Sequence, residues 1–513
     1  MASFSAKKVL RYGIVGGLIG GTALSLHKNQ YQLDSIGIVR LGRAAIAVFQ
    51  IGKIYKKELY FKEWDKTSVE FKEKQSFCHQ QGANRLLKLC CENKGVYIKV
   101  GQHIAALEYL LPKEYVQTMK VLHSHAPQSE LKDIYRVLKE DLKKEINDIF
   151  EEISPEPIGS ASLAQVHKAK LKDGTTVAVK VQHPAVLGNS RVDMKTMEYL
   201  VKVVEYFFPE FKFQWLVNES KKNIPTELDF KNEGLNAEKI AGLFKDVPWL
   251  RVPSIRWDLT TKRVLTMEYL DGGQVNDINY IKENKINPLE VSDKLGMLYS
   301  NMIFIHGFVH SDPHPGNILV KKNEKGNCDI VLLDHGLYAT LNGEIMVAYA
   351  NLWLSILNRD TVAMRLYTSK LGIKENFYGL FACMITGRTW DSVMKGIDKR
   401  KPTEKEKETF QVQIPTYASQ IIDVLDQVNR QLLLIFKTND LMRGIDHTLK
   451  TSARMGSFRV MSQCCIETVY TKKIDNSKGR LKKFQYGVAK FWMLFKIRVY
   501  YTFASIKELF GLI

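Results

Sequence analysis

The chain has 513 residues and 58.8 kDa, 45% of them hydrophobic and 25% charged, which is enough for about two to four structural units. Its apolar content excludes wholesale disorder, and 14 prolines with 33 glycines exclude a collagen-like or linker-dominated chain. The net charge of +19 is concentrated at the ends: residues 1–60 hold nine Lys and Arg against Asp34 and Glu58, and residues 472–513 hold ten against Asp475 and Glu508. A folded nucleic-acid reader usually carries its charge on the reader itself. Terminal charge beside apolar stretches points instead to an anionic membrane surface, so no nucleic-acid partner is expected.

Residues 1–33 contain Lys7, Lys8, Arg11 and Lys28 and no acid. That composition predicts a mitochondrial transit segment over residues 1–30. The uncharged run YGIVGGLIGGTALSL inside it is shorter than the ~20 residues that span a bilayer. Gly13, Gly17 and Gly21 recur every fourth position, the pattern of a closely packing helix face. Both cleavage and retention as an anchor stay open.

Residues 31–150 read as a helical extension. The stretch 84–122 is helix-rich with an interruption at 95–102. Over 128–153, Leu131, Ile134, Leu138, Leu142, Ile146 and Ile149 step at three and four and predict one amphipathic helix. Next, IGSASLAQVHKAKL and TTVAVKVQH flank Lys172-Asp173-Gly174 and read as a β-hairpin. Residues 186–208 read as helix, and RVLTMEYLDGG as a strand before a Gly-Gly turn. These place a small β-rich lobe at 151–271. A larger helical lobe follows at 272–470, with one strand pair at NILV and DIVLLDHG.

In the tail, 471–513, Phe491, Leu494, Phe495 and Tyr501 are mixed with cations. It reads as an interfacial helix whose Lys and Arg reach lipid headgroups, or as a terminal helix docked on the domain. No repeat of 20–50 residues is visible. The seven cysteines fall into no ligand or framework spacing and are expected to be reduced and mostly buried. The fold class expected is α+β.

Chemistry is carried by a few motifs. Lys180, in the strand VAVK about twenty residues after Gly159, stands where a kinase-like lobe places the lysine that holds the α- and β-phosphates of ATP. HSDPHPGN at 310–317 sets Asp312 five residues before Asn317, the spacing of a catalytic loop. Asp334, after an apolar strand and before His335-Gly336, matches the metal-binding aspartate of the DFG turn. Two other readings remain for this cluster. His310, Asp312, His314, Asp334 and His335 could form a His/carboxylate metal site, or the polar residues could merely cap turns. A kinase also needs an acid for its lysine. NIPTELDFKNEGLNAEK at 223–239, read as one helix, offers Glu227, Asp229 and Glu233.

Together these motifs resemble the UbiB family of atypical kinases, also called aarF-domain-containing kinases. The resemblance covers about residues 80–350 and rests on KVGQ at 99–102, the counterpart of an alanine-rich loop at 159–165, ELD at 227–229, and HSDPHPGN with DHG. It implies an atypical protein-kinase-like fold with a helical N-terminal extension, and ATP and Mg²⁺ as cofactors. Asp312 would be catalytic, and Asn317 and Asp334 would hold the metal. Nucleotide contacts would come from Ile158, Gly159, Ser160, Ala161, Ser162, Leu163, Ala164, Gln165 and Val166. Lys180 would join them, with Glu233 as its ion-pair partner, and Met267 and Glu268 would form the hinge at the adenine. Lys99 and Gln102 would sit on a lid that meets Glu227 and Asp229.

A lid of that kind implies an occluded pocket poor at accepting protein substrates, and no Ala-Pro-Glu peptide-docking segment follows DHG. Three departures from the pattern stand out. Gly159 and Ser160 open a loop that is richer in alanine in the family, and a glycine lets the backbone approach phosphates more closely. Ser311 and His335 replace the arginine of HRD and the phenylalanine of DFG. The implied activity is that of an ATP-dependent kinase or ATPase at a mitochondrial membrane, acting on a small or lipid-like molecule in quinone or lipid homeostasis. The alternatives are a nucleotide-gated scaffold without turnover and, third, a conventional Ser/Thr protein kinase.

Overall fold

The computed structural model describes residues 36–65, 68–105, 111–124, 128–209, 211, 213–311, 314–396, 420–421, 424, 427–451 and 456–509. The expected presequence and Asp312 lie outside the described residues. In chain order the first strands are β1 (Phe150–Ile153), β2 (Gly159–Ser160), β3 (Ala164–Leu171), β4 (Thr176–Gln182), β5 (Leu250–Arg251) and β6 (Val264–Glu268). They are followed by β7 (Gly273–Gln274), β8 (Phe308–His310), β9 (Ile318–Lys322), β10 (Cys328–Leu332) and β11 (Tyr338–Thr340). The chain forms two units, one of the residues up to Asn232 with Ile255–Tyr269, the other of Glu233–Ser254 with the residues from Leu270 onward.

In the first unit the expected hairpin is β3–β4. Its turn is set by Asp173, whose carboxylate accepts the Thr175 N–H at 2.8 Å, and by Gly174 at φ +85°. The sheet runs β1-β3-β4-β6 in antiparallel order, with β2 added to β3. Ile134, Val137 and Leu138 of the Leu131–Leu142 helix pack on Val177, Val179 and Val181 of β4.

The single helix expected over 128–153 is three elements instead. It stops at Leu142, where Lys143 turns left-handed at φ 56°, resumes over Ile146–Ile149, and becomes β1. The apolar stepping survives the break because Leu142, Ile146 and Ile149 all pack on the same cluster. Phe150–Ile153 is claimed by pairing with β3.

Helices Gly37–Tyr55, Val69–Asn93, Val96–Ala105, Lys113–Met119, Val186–Phe207 and Gln214–Glu227 belong to this unit as well. The interruption expected at 95–102 lies at Lys94-Gly95, with φ of 55° and 51°, and KVGQ is itself helical. Gly101 is there for closeness, since a Cβ on it would come within 2.3 Å of Leu122. Across these helices Arg40 and Asp193, 4% and 1% exposed, form a bidentate pair at 2.8 and 2.6 Å. Asn93 donates to the Arg40 carbonyl at 3.2 Å.

In the second unit β5-β10-β9-β7 form one sheet and β11-β8 a two-stranded one. The strand pair expected at NILV and DIVLLDHG is β9–β10, antiparallel from Ile318↔Leu332 to Lys322↔Cys328. Val291, Leu295 and Leu298 of the Pro288–Ser300 helix cover its apolar face. A second core joins Tyr349 and Trp353 to Leu432, Ile435 and Cys465 from the helices Gly343–Asn358, Arg430–Thr448 and Gly456–Asp475. All seven cysteines are unpaired, and only Cys91 is exposed. Among the described residues no helix is long and apolar enough to cross a membrane.

Breaking one partner of the Arg40–Asp193 pair strands a buried charge. Arg40→Met is therefore expected to lower unfolding free energy by about 3–5 kcal/mol, and Arg40→Met with Asp193→Leu to recover most of it. Urea titrations followed by circular dichroism give both values.

Candidate functional site

The residues 161–163 form a tight turn between β2 and β3, closed by the Ala161 N–H donating to the Ala164 carbonyl at 2.8 Å. Other side chains hold this turn. Ser162 Oγ donates to Gln102 Oε1 at 3.3 Å, and Gln102 Nε2 donates to the Leu122 carbonyl at 2.9 Å. His183, the residue that follows β4, gives its backbone N–H to the Leu163 carbonyl and lies 3.0 Å through Nε2 from the Ala161 carbonyl. A carbonyl only accepts, so Nε2 carries the proton and Nδ1 accepts from the Ser129 hydroxyl at 2.8 Å. Burial pushes the His183 pKa below the usual imidazole value, against the Ala161 hydrogen bond, and Lys94 adds to the depression. Gln165 completes the clamp by accepting the Ser129 N–H at 2.8 Å and donating to the Ser129 carbonyl at 3.2 Å.

Lys180 sits mid-strand on β4, paired with Val166 on one side and Leu265 on the other, and its ammonium lies 5.2 Å from the Phe230 ring centroid. Met267 and Glu268 close β6 opposite Ala178 and Val177, and the chain leaves the first unit after Tyr269. Ile158 is exposed, and a Cβ on Gly159 would meet nothing within 4 Å.

Within the same unit Lys99 pairs with Glu227 at 2.8 Å, with side chains 10% and 8% exposed. Asp229, the second acid expected at the lid, turns elsewhere. It accepts the Lys231 N–H at 3.2 Å and lies 3.7 Å from Lys262. The 223–239 stretch is not one helix: Gln214–Glu227 ends, Leu228 and Asp229 break the run, and Phe230–Leu243 begins. That break aims Glu227 and Asp229 in different directions.

In the second unit β8 ends at His310, fully buried, whose Nε2 donates to the Asp334 carbonyl at 2.7 Å. The turn Pro315–Asn317 leads into β9, and the Asn317 carbonyl accepts the Leu333 N–H at 3.0 Å, so Asn317 and the segment carrying Asp334 are bound directly. His314 Nδ1 accepts the Gly316 N–H at 3.0 Å. Asp334 Oδ1 accepts the Gly336 N–H at 2.9 Å.

His335 is 1% exposed, its Nε2 lies 3.0 Å from the Leu332 carbonyl, and its Nδ1 lies 3.0 Å from the Tyr338 hydroxyl. Nε2 therefore donates and Nδ1 accepts from the phenol. Tyr338 stacks on His335 and on Phe308 and meets His310 edge-on. Burial holds its phenol protonated well above the usual range, with Tyr299, Asp334 and Glu233 acting in the same direction. Glu233 lies at the DHG turn within this unit: a Cβ on Gly336 would be 3.9 Å from its Oε2. One helical turn on, Asn236 donates to the His335 carbonyl at 2.9 Å.

The side-chain carboxylate and amide of Asp334 and Asn317 are the hard oxygen donors that Mg²⁺ takes. Among the described residues no group of three or more His, Cys, Asp or Glu could hold a metal. His310 and His335 each direct Nε2 to a backbone carbonyl, which disfavours the His/carboxylate reading. Several contributors were not singled out from sequence. His183 stands at a strand end and Tyr338 three residues past His335, whereas Ser129 and Asn236 carry no local signal.

A family model described as the ABC1 atypical kinase-like domain matches residues 121–368. The chain is 55% identical to AarF domain-containing kinase 1 of Drosophila melanogaster, over 98% of this chain and 97% of that one. It is 45% identical to AarF domain-containing protein kinase 1 of Mus musculus, over 96% and 93%. A putative ABC1 protein of Arabidopsis thaliana is 36% identical over 79% and 78%. The chain belongs to the ABC1/AarF family of atypical kinases and has the α+β kinase-like fold expected from its motifs.

Because His183 is held neutral in the fold while the unfolded chain takes up a proton near the ordinary imidazole value of about 6.5, stability is complete above that pH and falls as the medium becomes more acid. Burial depresses His79 and His306 in the same sense. Urea midpoints at about pH 7.5 and about pH 5.5 are expected to fall with acidification in the native chain, and to fall less in His183→Asn.

Proposed function

We propose that the chain is an ATP- and Mg²⁺-dependent atypical kinase or ATPase that works at a mitochondrial membrane on a small or lipid-like molecule. The observation that carries this reading is the bond from Leu333 to Asn317, which holds Asn317 and the strand end bearing Asp334 in one fixed arrangement. When bound, Mg²⁺ neutralises charge on the phosphates, and phosphoryl transfer asks little more of a protein than positioning and charge. Lys180 supplies a cation for the α- and β-phosphates with Glu233 as its acid, and Asp312 orients the attacking hydroxyl or water. The backbone around Gly159 to Val166 approaches the phosphates, and Met267 with Glu268 meets the adenine. The acid-free first 33 residues support the mitochondrial location, and the basic ends support an anionic membrane.

One observation favours a second reading, a nucleotide-gated scaffold without turnover. Ser162–Gln102 ties the KVGQ helix to the 161–163 turn, and Lys99–Glu227 ties the same helix to the end of the Gln214–Glu227 helix, an arrangement suited to reporting nucleotide occupancy. The presence of Asp312 favours turnover. A conventional protein kinase ranks third because no peptide-docking segment follows DHG.

Turnover is measured on the full chain with Mg²⁺ and anionic vesicles. Asp312→Asn is expected to lose roughly 10²–10⁴-fold in rate while keeping nucleotide affinity. Asp334→Ala is expected to lose Mg²⁺-dependent nucleotide binding, and Lys180→Ala to weaken it. Full turnover in Asp312→Asn removes the catalytic assignment. Tight Mg-nucleotide binding without turnover in any lipid selects the scaffold.

Gly159→Ala provides a separate probe of the phosphate side. A methyl there meets open space, so the melting temperature is expected to stay within the change caused by about 0.5 kcal/mol. Any shift in ATP or ADP affinity, read by calorimetry, then reports backbone approach to the phosphates.

A further inference from the structure

The Arg480–Leu509 helix is two-faced. Tyr486, Lys490, Met493 and Ile497, spaced at three and four, are half-buried, and Lys490 bonds Glu467 and Thr471 of the Gly456–Asp475 helix. This is the docked side. Half a turn away, Leu481, Phe484, Val488, Phe491, Trp492 and Phe495 line up one above another at the same spacing, and they are exposed. Phe484, Phe491 and Trp492 are 69%, 65% and 53% exposed. On the same helical arithmetic Arg480 and Arg498 border this stripe on one edge, and Lys482 and Lys496 on the other. The residues 480–499 contain no acid.

We propose that this outer face lies on an anionic lipid surface, with the helix parallel to the bilayer and its aromatic side chains at headgroup depth. The inference rests on the membrane part of the function proposed above and names the surface that makes the contact. Charge selects the occupant. A second copy meeting this stripe face to face would set Arg and Lys against Arg and Lys, with no acid at the flanking positions where paired helices place one. An apolar stripe carrying Trp and Phe between two rows of cations matches the interface of an anionic bilayer, where rings sit among headgroups and cations reach the phosphates. Spanning is excluded for the described residues, because no helix is long and apolar enough to cross. The docked face explains why the stripe stays outward: Lys490 and its neighbours fix the helix rotation, and the apolar face has no freedom to turn inward.

The full chain is sedimented with vesicles of phosphatidylcholine alone and of phosphatidylcholine with phosphatidylserine. The native chain is expected to bind the mixed vesicles at least about tenfold more tightly, with affinity falling as salt rises. Phe491→Asp with Phe495→Asp, and separately Lys482→Glu with Lys496→Glu, are each expected to lose at least about tenfold in vesicle affinity. Both variants should keep native Mg-nucleotide affinity and melting temperature, since these side chains touch solvent. Native vesicle binding in both variants overturns the assignment of this face while leaving membrane association standing. A native chain that binds neither vesicle overturns membrane association itself. A Phe491→Asp/Phe495→Asp variant that changes solution mass by light scattering, with vesicle binding intact, assigns the face to a second copy and overturns the proposal.

Discussion

A buried ammonium needs its carboxylate, and the Lys99–Glu227 pair meets that need between the body of one helix and the last residue of another. Neither side chain could be left alone out of water without a cost of several kcal/mol. The Val96–Ala105 helix is therefore fixed on the last residue of the Gln214–Glu227 helix. From that fixed helix Gln102 reaches Ser162, one helical turn away from Lys99 on the same side. Net stabilisation by such a pair is small, because desolvation offsets attraction. Its contribution is uniqueness of arrangement, which the tight turn at 161–163 cannot supply for itself.

The same turn is braced from beneath by neutral groups. His183 donates to Ala161 and accepts from Ser129, and Gln165 exchanges two hydrogen bonds with the Ser129 backbone. Each of these buried polar groups finds a hydrogen-bond partner without a charge being taken out of water. The DHG turn follows the same economy. Where an ordinary kinase has a phenylalanine that can swing between pockets, His335 is tied at both ring nitrogens and stacked on Tyr338. Moving it out would break two hydrogen bonds and strand a carbonyl. The turn is built as a fixed part, and regulation by swinging this residue is disfavoured.

What could be read in advance depended on whether the signal was local. Lys180 on its strand, Asn317 and Asp334 at the ends of β9 and β10, and the β3–β4 hairpin follow from alternation and short spacing, which tertiary packing leaves intact. The interruption expected over 95–102 is confined to Lys94-Gly95, and KVGQ is helical. Gly101 is present for close approach to Leu122, and that cause lies about twenty residues away. The long helix of 128–153 was misread because apolar stepping of three and four continues across a left-handed lysine when every step reaches the same core. Asp229 could not be separated from Glu227 by spacing, since the break between them is a matter of two backbone conformations. Ser129 and Asn236 were illegible for a simpler reason: their partners are 54 and 99 positions away, and a lone Ser or Asn announces nothing.

The uneven charge of the chain has a matching physical logic. On the proposed function, a domain that handles polyanionic phosphates gains little from a broadly basic surface, which would attract anions without discrimination. Here the excess is carried by the two ends, and at the C-terminal end it borders an apolar stripe that the fold leaves uncovered. Water-exposed Phe and Trp in a row are unfavourable unless something else covers them. On the proposed reading, lipid covers them and the flanking cations set the depth. The helix rotation that makes this arrangement available is fixed by the ion pair from Lys490 to Glu467, a partner that sequence periodicity could not name.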